Sequence, residues 1–210
     1  MTLKQLSTPW PTKRPDQPMQ CDRERWNKKY RHGAEFGPPS PLVTSYHHLA
    51  PGRKVLDIAA GDGRNALYLA EKGFLVFAVE IADKAIDRLH RLDNPLIVPI
   101  QADMDNFPLR YMTYDLIINC RFLDRRIFPY IQEGLSEDGL LIFESALENQ
   151  QPGITQPENR DFLLRANNEL LHCFLSLHIH LYQETIQKDY PNKSKISLAS
   201  LVAQKKRPIF

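Results

Sequence analysis

The sequence predicts an α/β fold built on a mostly parallel sheet with helices on both faces. Three observations predict it. From Lys54 onward, short continuous apolar runs alternate with amphipathic helical stretches, the pattern of strands buried on both faces. Gly61 and Gly63 sit where the first such run meets the first such helix. The last two apolar runs are separated only by "QKDYPNKSK". That is too short for a parallel crossover, so the two runs form an antiparallel hairpin.

The elements follow in order. Pro9, Pro11, Pro15 and Pro18 keep residues 1–18 out of regular structure, a Pro-rich arm. "CDRERWNKKYRHG" reads as a short helix closed by Gly33, and "LVTSYHHLA" as a second helical piece stopped by Pro51-Gly52. Residues 19–50 are therefore expected to form a helical cap, or lid, ahead of a main domain over 51–210. Within that domain "KVLDIA", "FLVFAVE", "LIVPIQAD", "YDLIINC" and "GLLIFESA" are the parallel strands. "GRNALYLAEKG", "ADKAIDRLHRL" and "RRIFPYIQEGL" are the helices between them, the first with Gly73 as its C-cap. "ENRDFLLRANNELLHCF" predicts one long helix, and "LSLHIHLYQETI" with "ISLASLVAQKK" predicts the closing hairpin.

Composition excludes several classes. The chain has 210 residues, 42% hydrophobic and 25% charged, the values of an ordinary globular protein. Cys21, Cys120 and Cys173 are scattered and odd in number, so neither a disulfide framework nor a zinc site is indicated. No apolar run approaches the roughly 20 residues of a membrane span, and "MTLKQLSTPWPTKRPD" lacks the apolar core of a signal peptide. A cytoplasmic protein without membrane association is expected. The net charge of +2 is distributed unevenly, with eight Lys/Arg against four acids over residues 1–36. That excess could attract an anion or a nucleic acid, but a solvated face is the simpler account of it.

The candidate chemistry starts at "LDIAAGDGRN". Gly61 and Gly63 let the backbone bend tightly and approach a ligand, and Ala66 lets the helix pack near the strand. The helix N-terminus then presents amide donors. Glu80 ends the second strand nineteen residues beyond Gly61, where an acid can accept both hydroxyls of a ribose. These features suit a nicotinamide dinucleotide as well as an adenosyl sulfonium. Asp57 separates the two ligands, because a carboxylate four residues before Gly61 could hold an ammonium group. NAD has no ammonium, and S-adenosylmethionine does. Asp103, in "QADM", could accept from an adenine amino group with Met104 against the ring.

At these residues the sequence resembles the class I S-adenosylmethionine-dependent methyltransferases, over roughly Lys54 to Ala203. "VLDIAAGDGRN" is similar to that family's acid-x-G-x-G-x-G motif, with Ala59 in place of the first glycine. "NCRFL", Asn119 to Leu123, is similar to its segment facing the methyl group. The resemblance implies a Rossmann-like seven-stranded sheet in the order 3-2-1-4-5-7-6 with strand 7 antiparallel. It implies cofactor-binding positions at Asp57, Ala59, Gly61, Gly63, Asn65, Glu80, Ile81, Asp103, Met104 and Asn119. It also implies S-adenosylmethionine as methyl donor, S-adenosylhomocysteine as product, and in-line transfer. "GDGRNALYLAEKG" with Trp26 and Tyr30 further resembles the tellurite-resistance and thiopurine-type methyltransferases, which implies a lid and a small-molecule acceptor rather than a nucleic acid.

On the acceptor side, Asn119, Arg121 and Phe122 are the catalytic candidates, with Glu144 and Ser145 beside them. Trp26, Tyr30 and Phe36 are expected from the lid. Arg121 either holds an anionic acceptor or pairs with Asp124. His47, His48 and the His178–His180 pair bring no third ligand with them, so no metal is expected. Two alternatives stay open: an NAD(P)-dependent oxidoreductase on the same loop, and a nucleic-acid methyltransferase drawing on the basic arm.

Overall fold

The structure, a computed structural model, describes residues 19–30, 37–157, 159–166, 168–188 and 194–206. Its sheet is assembled outward from β1 (Lys54–Ile58), whose Val55, Leu56 and Ile58 are fully buried. β1 pairs in parallel with β2 (Leu75–Glu80) on one side and β4 (Tyr114–Cys120) on the other. β3 (Ile97–Gln101) extends the sheet beyond β2, and β5 (Leu135–Ala146) beyond β4, again in parallel. β7 (Lys195–Gln204) runs antiparallel to both β5 and β6 (His178–Lys188). The order is β3-β2-β1-β4-β5-β7-β6, as the sequence resemblance implied.

Side chains alternate across the strands and make two cores. On one face α2 (Pro41–Tyr46), α3 (Arg64–Glu71) and α4 (Asp83–Arg91) place Leu42, Val43, Leu69, Ile86 and Leu89 against Val55, Val76, Leu116 and Ile142. On the other, α5 (Phe128–Gly134) and α6 (Glu169–Cys173) cover Leu56, Ile58, Ile117, Leu141 and Phe143. Phe128, Phe143 and Phe174 form a ring cluster with centroids 5.2–5.9 Å apart. α1 (Met19–Tyr30) lies outside both cores, fastened to α4 by polar contacts. Asn27 Nδ2 donates to Asp83 Oδ2 at 2.9 Å, Arg23 Nε donates to the same carboxylate at 3.1 Å, and Lys84 N–H donates to Asn27 Oδ1 at 3.2 Å. The Pro-rich arm and Phe36 lie outside the described residues.

Two elements differ from the sequence expectation. β5 begins at Leu135 rather than Gly139, with a register shift opposite Tyr114–Leu116. At the irregularity a Cβ on Gly139 would sit 2.9 Å from Ser136 backbone atoms, so the close turn excludes any larger residue. The long helix expected over 158–174 is not formed. A 3-10 turn (Arg160–Phe162) leads into an extended stretch, and Asn168, in left-handed backbone at φ 65°, precedes the short α6.

Tertiary hydrogen bonding overrides the helical periodicity there. Leu164 N–H donates to Ala146 O and Glu148 N–H to Leu164 O, both at 2.8 Å, so the segment adds itself to the end of β5. Arg125 completes the anchoring by donating to Leu163 O at 2.9 Å and to the Glu169 carboxylate.

Phe174 is fully buried, while its neighbour Leu175 is 60% exposed. Phe174→Ala is expected to lower the unfolding free energy by about 3–5 kcal/mol, and Leu175→Ala to change it by less than about 0.5 kcal/mol. Urea denaturation of the two variants measures the contrast. Equal effects would contradict the packing of the segment after Leu164.

Candidate functional site

The carboxyl ends of the parallel strands open onto a cavity of about 900 Å³. β1 and β4, whose connections leave in opposite directions, flank its centre, where crevices form in sheets of this kind. The loop after β1 is the tightest piece of its wall. Ala59, Gly61 and Gly63 all take positive φ, at 53°, 59° and 89°, so three of five successive residues are in left-handed backbone. Glu80 holds that loop to the next strand. Its Oε2 accepts the Gly61 N–H at 2.9 Å, and its Oε1 accepts the Ile81 and Ala82 N–H groups at 2.8 and 2.9 Å.

Asp57 lies beneath the loop and is 2% exposed. Its Oδ2 has no hydrogen-bond partner among the described residues. Burial pushes its carboxyl up to about 8; the charge of Arg64 opposes this, while Glu80 and Asp62 add to it. Asn119, at the end of β4, is fully buried with neither its Oδ1 nor its Nδ2 partnered. Buried polar atoms are normally satisfied, so both residues mark places prepared for something else.

The predicted residues divide by position. Ala59, Glu80, Ile81, Asp103 and Met104 line the cavity, as do Arg121 and Phe122. Asp57, Gly61, Gly63 and Asn119 are not among the lining residues. Asn65 is turned inward, its Oδ1 accepting the Ser40 N–H at 2.9 Å and tying the start of α2 to α3. Trp26 and Tyr30 of α1 line the cavity as well. The Tyr30 hydroxyl stands over the glycine loop, 2.7 Å from where a Gly61 Cβ would lie, and burial pushes its ionisation well above the usual phenol range.

Arg121 pairs with Glu144, and this corrects the ion pair with Asp124 considered from the sequence. Its Nε donates to Glu144 Oε1 at 3.1 Å and its backbone N–H to Glu144 O at 2.7 Å. Arg121 reaches this arrangement in left-handed backbone, at φ 72°. Asp124 instead caps the turn before α5 and is held by Arg126. Cys120 is half-buried in the cavity wall, and desolvation pushes its thiol far above the ordinary range, which leaves it no nucleophilic thiolate.

The histidines have structural partners. His47 Nδ1 is 3.0 Å from Val43 O, and its ring packs on Tyr68 and Phe74. His180 Nε2 is 3.0 Å from Gln204 Oε1. Among the described residues no group of three His, Cys, Asp or Glu side chains is placed to hold a metal ion.

Among the lining residues that sequence reasoning missed are Arg25, Arg64, Phe162 and Ile196. Arg64 directly follows the glycine loop and was within reach of the motif. Phe162 was hidden because its segment reads as a helix, and Ile196 because it begins a distant strand. The Arg25 guanidinium lies 5.6 Å from the Trp26 ring and 5.0 Å from the Phe162 ring, joining α1 to the far wall of the cavity mouth. Among the described residues no helix is long and apolar enough to cross a membrane.

Comparison with known proteins follows this geometry. Residues 55–137 match the family described as a methyltransferase domain. An uncharacterized methyltransferase of Synechocystis sp. is 30% identical over 69 residues, 33% of this chain and 32% of that protein, so the chain matches about a third of that relative's length. The crystal structure of TehB from Haemophilus influenzae superimposes with a TM-score of 0.69 at 23% identity, covering 88% of this chain and 67% of that one. The 1,6-didemethyltoxoflavin-N1-methyltransferase of Burkholderia thailandensis, solved with 1,6-didemethyltoxoflavin and S-adenosylhomocysteine, gives 0.66 at 16% identity, covering 90% and 87%. Strand order and matched segment agree: residues 55–137 match a methyltransferase-domain family, and the chain has the Rossmann-like fold of the S-adenosylmethionine-dependent methyltransferases.

Proposed function

We propose that the protein binds S-adenosylmethionine in this cavity and transfers its methyl group to a small-molecule acceptor. The observation that carries the reading is Asp57, a buried carboxyl with an oxygen left without a partner at the end of β1. A cation brought there would satisfy it, and the ammonium of the amino-acid end of S-adenosylmethionine has the right charge. A nicotinamide dinucleotide carries no such group. The bound cofactor supplies an activated methyl group on a positively charged sulfonium.

The chain's own residues bind and orient. Glu80 accepts a ribose hydroxyl while it holds the loop, since three N–H groups use three of a carboxylate's roughly four acceptor positions. Asp103 accepts from the adenine amino group, with Met104 against the ring. Arg64 lines the cavity at the first turn of α3, where its charge and the helix amides suit a carboxylate. Arg121, Phe122, Ser145, Phe162 and Ile196 lie toward the strand ends of β4, β5 and β7 and take the acceptor. Their contribution is alignment, for which holding two reactants in place is worth up to about 7–11 kcal/mol in favourable intramolecular cases. Arg121 is already paired to Glu144, so its charge is largely compensated.

Of the segment 19–50, α1 acts as the lid, while α2 packs into the core beneath it. Trp26 and Tyr30 cover the cavity and Arg25 bridges its mouth to Phe162. A mouth partly covered by α1 favours a small acceptor over a nucleic-acid strand.

Two measurements test the reading. Calorimetric titration of the full chain should show binding of S-adenosylhomocysteine and none of NADH; the reverse result would overturn the assignment. The second follows from the Asp57 carboxyl, raised to about 8 in the folded protein against about 4 in an unfolded chain. The unliganded fold therefore holds a proton through that window, and its stability falls as pH rises from 4 to 8 by at most about 1.4 kcal/mol per unit. Asp57→Asn removes the slope. The variant should melt about 5 °C or more above the wild type at pH 8 and together with it at pH 4, while binding S-adenosylhomocysteine about tenfold or more weakly. A parallel pH dependence of the two melting curves would show that Asp57 is not a stranded carboxyl.

A further inference from the structure

Arg126 follows the Asp124 cap after β4, and its side chain reaches across the strand ends to the loop after β3. Its Nε donates to Asp124 Oδ1 at 3.0 Å and its Nη2 to Asp124 Oδ2 at 2.5 Å. The same Nη2 also donates to the Asp105 carboxylate. One guanidinium thus joins loops from strands separated in the sheet by both β2 and β1.

Asp105 is in turn built into the turn that carries Asp103. The Asp105 N–H donates to Asp103 Oδ1 at 2.9 Å, and the Asn106 N–H to Asp103 O at 2.9 Å. Asp103 and Met104 line the cavity, whereas neither Arg126 nor Asp105 does. The ion pair acts on a ligand only through the turn.

We propose that Arg126 is a positioning residue that sets the nucleobase selectivity of the cofactor site: through Asp105 it fixes the Asp103 carboxylate as an acceptor for an exocyclic amino group, and so for adenine over hypoxanthine. The inference rests on the S-adenosylmethionine reading of the cavity. Adenine presents an amino donor at the position where hypoxanthine presents a carbonyl acceptor. An ionised Asp103 can only accept, so it rewards the first and repels the second.

The surroundings of Asp103 work against ionisation. Burial raises its carboxyl, and the charges of Asp105 and Asp22 raise it further; the Asp105 N–H and the Arg126 charge oppose them. Removing Arg126 leaves two acidic groups two residues apart without their shared cation. Asp103 then takes up a proton more readily, and a protonated carboxyl can donate to a carbonyl. Partly exposed ion pairs contribute little to stability, so selectivity, and not folding, is where this one acts.

The experiment compares binding of S-adenosylhomocysteine and S-inosylhomocysteine to the full chain by calorimetry. The wild type should favour the adenosyl ligand by about 10- to 100-fold, the range set by one charge-assisted hydrogen bond. Arg126→Met removes the cation and should lower that ratio to about threefold or less. Asp105→Ala cuts the bridge while leaving the Arg126–Asp124 cap in place, but also takes away a charge that raises the Asp103 carboxyl, and should lower the ratio by a smaller factor. Arg126→Lys, which keeps the charge without the fork, should restore part of it. Variants that weaken both ligands equally and keep the wild-type ratio overturn the inference and leave the site assignment standing. A wild type that binds neither ligand overturns both.

Discussion

The carboxylate of Glu80 is the interaction on which the rest of this site depends. It accepts three backbone N–H groups, one from the loop after β1 and two from the chain leaving β2. Buried amide donors need acceptors, and a carboxylate is the compact group able to take several at once. The left-handed residues of the loop are thereby held in one shape, and α3 and α4 start from fixed points. The cavity wall, the cap formed by α1 on Asp83 and the bridge at Arg126 are all set out from those strand ends.

Several charges at the cavity are held in pairs. Arg25 stands beside Asp22, Arg88 beside Asp62, and Arg121 beside Glu144. Paired charges fix loops and orient side chains without presenting a strong net field to a ligand. Unpartnered buried polar atoms among the described residues include those of Asp57 and Asn119, one at each side of the β1–β4 junction. Where pairing supplies rigidity, these unsatisfied atoms supply demand, and a ligand that meets the demand gains from it.

Much of the fold was legible in the chain. Continuous apolar strands, glycine punctuation and a hairpin too short for a crossover led to a parallel sheet with an antiparallel end, and the structure has that sheet. The segment from 158 to 174 was misread for a specific reason. Its leucines have helical spacing, but Leu164 spends its backbone donor and acceptor on Ala146 and Glu148, partners far away in sequence. Periodicity records which side chains are apolar and says nothing about which distant strand end needs a neighbour. Phe162 entered the cavity wall by the same route, and no local pattern announced it.

The sequence by itself determined the strands, the glycine loop and the acids at their ends, because each follows from local residue chemistry: side-chain alternation, backbone freedom and the placement of a carboxylate after an apolar run. Only the tertiary structure decided the pairings. Arg121 turned to Glu144 rather than to nearby Asp124, Asn65 turned inward to Ser40, and Arg126 crossed the strand ends to Asp105. Long polar side chains have several partners within reach along the chain. Which one they take is fixed by the packing of the sheet and by the cost of leaving a buried polar group alone.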